Sequence, residues 1–479
     1  MWGSNRIGVF VEAIALRVGR FTRTIDRLIT PERLRLYPRV FLAGSVLGVT
    51  LSSLGRIVDP SIQGPLMPDY LAHWTGGSLL LSGDSAHLYE PATQSAFQKE
   101  AIGTEVPLSW FVSPPIVAAL YAPLSILPYS LSGLLWLVVS GALLVWCTLS
   151  LKTLAPRLMF RKHWVVILAV LGSPVVFELL GGGQDSAFIL AVWLIGIRLL
   201  GSGHSFWAGT VLGLGFAKPQ LVVLVPLVLL ATRNYRAITG FVTVCALVLG
   251  ISIGLVGLDG LYQWVSALSS PLYQEQVQHG QAWKMVGLPS FVQALLPQSW
   301  GTLIAPALTT AALPVGAAIL LLRLYKVRKL GVDSKAIWIA TLATTAAFSP
   351  HLATYDAILF IPVLVFLLER RPSPALRVSA VAAIGLLWIV PVLYLAAARL
   401  PWPLGVIDAP WSAIPLGYIW LESLRALTPR RRDVMTERPN PAAASEVQQQ
   451  GNEGPAASVN ARPGTGTRTD RPGSAGATT

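Results

Sequence analysis

The side chains able to move a proton or hold a phosphate are few in a chain that is 53% apolar and 12% charged, and they stand where apolar runs give way to polar turns. Asp69 follows Pro68 and precedes Tyr70 in the polar, aromatic-rich stretch 59–130, with His73 one helical turn further on. A carboxylate there could take the proton of a hydroxyl during a displacement; the alternative is an acid favoured by a helix N-terminus. Lys218 lies between two apolar runs. An ammonium inside a membrane costs about 2.5 to 3.5 kcal/mol and calls for an anionic partner, unless it snorkels to the boundary. His351 and Asp356 bracket another break and read as functional groups within a membrane or as water-exposed turn residues. Gly181 to Asp185, with Gln184, forms either a tight turn or a surface that a ligand approaches closely. Trp74, Trp110 and Trp283 could stack on sugar rings or belong to an interfacial aromatic belt.

The elements that must position these groups are membrane helices. A chain of 479 residues with mean hydropathy +0.60 and repeated long apolar runs is an all-α polytopic membrane protein. Cys147 and Cys245 both fall inside apolar runs, which argues against a disulfide framework or a thiolate metal site. The net charge of +13 is dealt out between the apolar runs rather than gathered in one patch, so it reports topology and not nucleic-acid binding.

About 12 spans are expected, beginning near residues 40–57 and ending near 411–427. A basic N-terminal segment, 1–39, precedes them, and a tail rich in Pro, Gly, Ala, Ser and Thr, 428–479, should be disordered. The first long loop, 59–130, should carry a helix opening at Pro68 and lying on the membrane surface, and a second, juxtamembrane or re-entrant, after Ser113-Pro114-Pro115. A second large loop is expected over 257–301. On this path all of the 36 Lys and Arg except Arg56, Lys99, Lys218, Lys284 and Arg399 fall on the side of the two termini, which the positive-inside rule makes cytoplasmic. Asp69, Asp185, Lys218, Trp283, His351 and Asp356 then all arrive at the outer face. The sequence has no G-x-x-x-x-G-K-[ST], no H-E-x-x-H and no Asp-x-Asp, which removes support from ATP-driven pumping, zincin chemistry and the metal clamp of nucleotide-sugar enzymes.

The order of short motifs resembles glycosyltransferase family 87, membrane mannosyltransferases of the GT-C fold that use polyprenyl-phosphate-mannose. The motifs are Pro68-Asp69-Tyr70, Leu88-Tyr89-Glu90-Pro91, Ser113-Pro114-Pro115 with Leu127-Pro128, Gly183-Gln184-Asp185, Ala217-Lys218-Pro219-Gln220, and Ser349-Pro350-His351 with Tyr355-Asp356. The resemblance implies a GT-C-like catalytic domain over 40–427 in a bacterial inner membrane. It also implies an inverting transfer of a hexose, mannose in the family, from a polyprenyl-phosphate-sugar to a hydroxyl of a lipid-linked or envelope glycan on the extracytoplasmic face. Asp69 would be the base, Lys218 and His351 would hold the donor phosphate, and His73, Trp74, Tyr89, Gln184, Asp185, Trp283 and Asp356 would line the substrate site. The family commonly has Asn near the position of Asp185, a departure in this chain. No cofactor is implied and no metal ligand is assigned, a divalent ion being left open. Membrane lipids are the other expected partners, and nucleic acid is not one. A transporter or flippase of a lipid-linked sugar is the rival reading, since it would use the same cations without turnover.

Overall fold

The computed structural model describes residues 17, 19–59, 64–279, 282–397, 400 and 403–428. Most of the expected basic leader's first half and all of the expected tail beyond Thr428 lie outside the described residues. Among the described residues the chain is helical, with no strand and one isolated bridge, Met285 to Ala353.

Helix α1, Pro31–Val58, starts at a Thr30 cap that accepts from the Arg33 amide, with Pro31 at the first helical position. Three helices follow in the first loop: α2, Pro68–Leu81; α3, Pro91–Ile102; and α4, Pro115–Ser125. Each begins with a proline, whose fixed φ suits a first turn and whose missing N–H would have no partner there. The two helices expected in this stretch from sequence correspond to α2 and α4. They pack on each other because Gly77 of α2 leaves room for the α4 backbone; a methyl at Gly77 would meet Ser125 Oγ and the Tyr121 carbonyl carbon.

The membrane part continues with α5, Tyr129–Ser150; α6, Pro156–Leu171; α7, Pro174–Gly182; α8, Ser186–Gly201; α9, Ser205–Leu214; and α10, Val225–Ala231. Then come α11, Tyr235–Ser269; α12, Leu288–Ala294; α13, Gln298–Val327; α14, Ser334–Phe348; α15, Phe360–Arg370; α16, Pro374–Ala397; and α17, Ala413–Arg425. Among the described residues five helices are long and apolar enough to cross a membrane, and α6 with α7, bent by 52° at Gly172 and Ser173, makes up to 6. The expectation of 12 spans goes beyond this number: α8 and the segments on either side of Lys218 are shorter apolar helices. Helix α14 is also short, and nearly every residue from Ala336 to Ala347 is buried, so it is walled by protein rather than lipid.

The loop expected at 257–301 is helical in its first part. Helix α11 runs on to Ser269 past Gly257, whose φ of 70° turns the chain without ending the helix. The extension carries Trp264, whose Nε1 donates to the Val112 carbonyl at 2.9 Å, so it packs over the first loop and the two polar segments form one cap.

Candidate active site

Asp69 occupies the second position of α2, and the corner that places it is strained. Met67, just before Pro68, has φ 50° and ψ 70°, a left-handed conformation that costs a non-glycine residue roughly 1 to 2 kcal/mol. Two things hold it there. The Met67 side chain is buried against Gly133, and the Tyr129 hydroxyl donates to the carbonyls of Leu66 and Met67. Tyr70 locks the next residue: its hydroxyl and Ser132 Oγ are 2.5 Å apart, and its ring stacks on Trp136 with centroids 5.8 Å apart. A carboxylate is thus fixed at the start of α2 by an aromatic cluster behind it.

The half-buried Asp69 carboxylate faces the C-terminal end of α7. A methyl built on Gly182 would lie 2.7 Å from Asp69 Oδ2, and one on Gly183 would lie 2.6 Å from Tyr70 Cβ. Gly183 ends α7 with φ 73°, and its carbonyl accepts from Trp136 Nε1 at 2.9 Å. The small-residue run is therefore both a turn and a close-approach surface. What approaches it is the protein's own helix.

Next to this corner lies a buried ionic cluster. Lys218 interrupts the helix between the single turns Gly215–Ala217 and Pro219–Leu221, and Trp193 Nε1 of α8 fixes the second turn by donating to the Leu221 carbonyl at 3.1 Å. The Lys218 ammonium stands 2.7 Å from Asp185 Oδ1 and 3.2 Å from Asp356 Oδ1, and it donates to Gln184 Oε1 at 3.3 Å and to Ser186 Oγ at 3.2 Å. Ser186 Oγ in turn donates to Asp356 Oδ1 at 2.5 Å. Both carboxylates are at least 93% buried as side chains, so the ammonium is the compensation that such buried anions require. With two carboxylates to one ammonium, the cluster as a whole is anionic.

Tyr355 and His351 connect the two parts. The Tyr355 ring lies 5.1 Å from the Lys218 ammonium, and α7 packs against the turn Thr354–Leu359 that carries it. His351 is half-buried within electrostatic reach of Asp356, Lys218 and Asp69. Asp69, Gln184, Asp185, Lys218, His351 and Asp356 are therefore brought together.

The other expected site residues are engaged elsewhere. His73 is buried, stacks on Tyr121 at 4.6 Å and meets the edge of Phe111; burial pushes its pKa down, so the ring serves as a neutral packing partner. Trp74 Nε1 donates to the Leu127 carbonyl at 3.2 Å. The Tyr89 hydroxyl donates to the Ser113 carbonyl at 2.8 Å. These three build the cap behind Asp69. Trp283 stacks on Tyr394 at 5.8 Å, in the segment that runs beside residues 352–354.

Glu178, not named from the sequence, and Lys284, read there only as an outer-side cation, also belong here. Glu178 lies one turn before Gly182 on α7, within electrostatic reach of Lys284, Asp69 and Arg56. Lys284 is tied beside His351 by its neighbours: the Thr354 hydroxyl donates to the Lys284 carbonyl at 3.1 Å, and the Val286 amide to the Leu352 carbonyl at 2.8 Å. Among the described residues the Lys284 ammonium has no carboxylate partner within ion-pair distance. A lone acid in an apolar helix was the signal for Glu178. Among the described residues no group of three or more His, Cys, Asp or Glu could hold a metal ion.

The site is thus one carboxylate on a rigid corner, a half-buried histidine and a lysine beside it, and a buried anionic floor. That arrangement can take a proton from a hydroxyl and neutralise a departing anion nearby. Residues 111–350, half of the chain, match the family model for glycosyltransferase family 87. The matched stretch contains Gln184, Asp185, Lys218 and Trp283, and Asp69 precedes it while His351 and Asp356 follow it. No curated protein and no solved structure matches the chain.

Proposed function

This chain belongs to glycosyltransferase family 87 and is a membrane glycosyltransferase, and from that premise we propose that it transfers a hexose, mannose as the first choice, from a polyprenyl-phosphate-sugar to a hydroxyl of a lipid-linked or envelope glycan. The reaction is placed on the extracytoplasmic face, in a bacterial inner membrane with both termini in the cytoplasm. The observation that carries the reading is the Asp69 carboxylate, held on a strained corner against Gly182 and within electrostatic reach of His351, whose neighbouring segment carries Lys284.

In this mechanism the acceptor oxygen attacks the anomeric carbon as Asp69 takes its proton. The bond from that carbon to the phosphate oxygen breaks, its electron pair leaves with the polyprenyl phosphate, and the anomeric centre inverts. One carboxylate suffices, because the leaving phosphate needs no protonation, in contrast to the acid and base pair of glycoside hydrolysis. The phosphate is assigned to His351 and Lys284, which stand on adjacent backbone segments and could give it charge-assisted hydrogen bonds. Lys218 is placed beneath it as the group that keeps Asp185 and Asp356 in position. Glu178 and Gln184 line the sugar side.

Purified protein incubated with polyprenyl-phosphate-[14C]mannose and a panel of lipid-linked acceptors should form a labelled glycolipid. Labelled product from a nucleotide-sugar, and none from the polyprenyl donor, would overturn the donor assignment.

The position of Asp69 gives a narrower test. In Gly182→Ala the new methyl must displace Asp69 Oδ2, the end of a side chain that can rotate, so folding should be little affected. A base moved by about 1 Å loses its alignment with the hydroxyl, and turnover should fall roughly 10- to 100-fold. Gly181→Ala is the control, since its methyl meets nothing nearer than Val49 Cγ2 at 3.9 Å. Equal turnover of the two variants would remove Asp69 from the reacting centre.

A further inference from the structure

Between α1, α6, α15 and α16 lies a cleft of about 930 Å³ that contains none of the residues assigned to transfer. Its volume is at the upper end of ordinary ligand sites, about 300 to 1,000 Å³. Its walls are mostly apolar, Leu364 and Ile384 among them, and its lining reaches Ser173 and Ala357. The opposite end is ringed by Arg35, Arg39, Arg161 and Lys162, all exposed.

These cations converge for structural reasons. Arg35 and Arg39 are one turn apart on α1 and share a face. Arg161 and Lys162 stand where α6 leaves helical geometry, Lys162 having φ −136° and ψ 20°. Asp26 is an acid in the lining, and it is already satisfied: Arg377 Nε and Nη2 reach its two oxygens at 2.7 and 2.5 Å. Among the described residues no carboxylate pairs with the four ring cations.

We propose that this cleft binds an anionic glycerophospholipid from the leaflet that the charge pattern assigns to the cytoplasm. Its phosphate lies among Arg35, Arg39, Arg161 and Lys162, and its acyl chains lie along the apolar walls. The walls alone would accept any lipid chain, so the cationic ring is what selects the headgroup. The lipid donor is a poor occupant, because its phosphate must react beside Gly182. The path from Lys162 to Gly182 along α6 and α7 is about 30 Å at 1.5 Å per residue, and the end-to-end separation is shorter because of the bend.

The test is native mass spectrometry of the purified full chain titrated with dioleoylphosphatidylglycerol or dioleoylphosphatidylcholine. The wild type should retain one phosphatidylglycerol at least tenfold more strongly than phosphatidylcholine. Each cation near a charged headgroup contributes about fivefold, so Arg35→Gln and Arg161→Gln should each lose about that much, and a variant with all four cations changed to Gln should lose the preference. Ile384→Trp narrows the cleft between its apolar walls without touching a charge, and it should weaken retention of phosphatidylglycerol. Retention unchanged in Ile384→Trp would make the cations a surface patch and overturn the cleft site. Equal retention of the two lipids, single variants without effect, or a preference for polyprenyl phosphate over phosphatidylglycerol would each overturn the proposal as well.

Discussion

Asp69→Asn should leave a folded protein that binds the polyprenyl donor with near wild-type affinity and transfers about 100- to 10,000-fold more slowly. The amide keeps the shape of the side chain and its fit against Gly182, and the Tyr129, Tyr70 and Ser132 contacts that hold the corner do not involve the carboxylate. What is lost is the favourable meeting of an anion with the first turn of α2, about 0.3 to 1 kcal/mol, and the ability to accept a proton. A role limited to the helix terminus would thus appear as a small drop in thermal stability with turnover intact. A role as the base would appear as the reverse. Asp84→Asn is the control: that acid lies in the same loop and pairs with His87 at 2.5 Å, away from the reacting corner. Turnover of Asp69→Asn above about a tenth of wild type, outside the range for general-base loss, would sink the assignment. Asp356 and Asp185 would be poor replacements, because both are already committed to Lys218.

The sequence carried the local part of this site and little of its assembly. Pro68-Asp69 followed by apolar residues at helical spacing is enough to start α2, and Lys218-Pro219 is enough to break a helix. Both signals depend only on neighbours in the chain. The strain at Met67 is not legible in the same way, since nothing in its type demands a left-handed φ; the Tyr129 hydroxyl and the pocket at Gly133, supplied by α5, impose it. His73, Trp74 and Tyr89 have the chemistry of ligand-binding residues, but the His73 ring stacks on Tyr121, and Trp74 and Tyr89 donate to the Leu127 and Ser113 carbonyls, through packing between α2, α4 and their loops. The reading of 257–301 as a loop gave weight to its polar residues. Leu258, Leu261, Tyr262, Val265 and Leu268 nevertheless keep helical spacing, which the glycine before them turns but does not stop. Nor could spacing show that Lys218 meets both Asp185 and Asp356, because that depends on how α8 and the turn after α14 pack around it.

That last contact changes what removal of the lysine should do. Lys218→Ala is expected to destabilise the fold by about 3 to 5 kcal/mol, because it leaves Asp185 and Asp356 buried with no cation. A lysine that served chiefly the donor phosphate would behave differently: the fold would stay intact and donor affinity would fall roughly thirtyfold, the size of one charge-assisted contact of about 2 kcal/mol. Thermal unfolding of the detergent-solubilised variants, followed by tryptophan fluorescence, separates the two outcomes. The stronger check is compensation. Asp185→Asn removes one of the two anions and should recover part of the stability lost in Lys218→Ala, and adding Asp356→Asn should recover more, because an amide at 356 can keep the Ser186 hydrogen bond and one at 185 can keep a bond to its own backbone. Simple additivity of the three changes, or a Lys218→Ala protein as stable as wild type, would show that the ammonium does not hold these carboxylates. The same triple variant bears on the phosphate assignment. With the anionic floor neutralised, repulsion of the incoming phosphate falls, so donor affinity should be kept or improved even without Lys218, and a donor held by His351 and Lys284 would still bind.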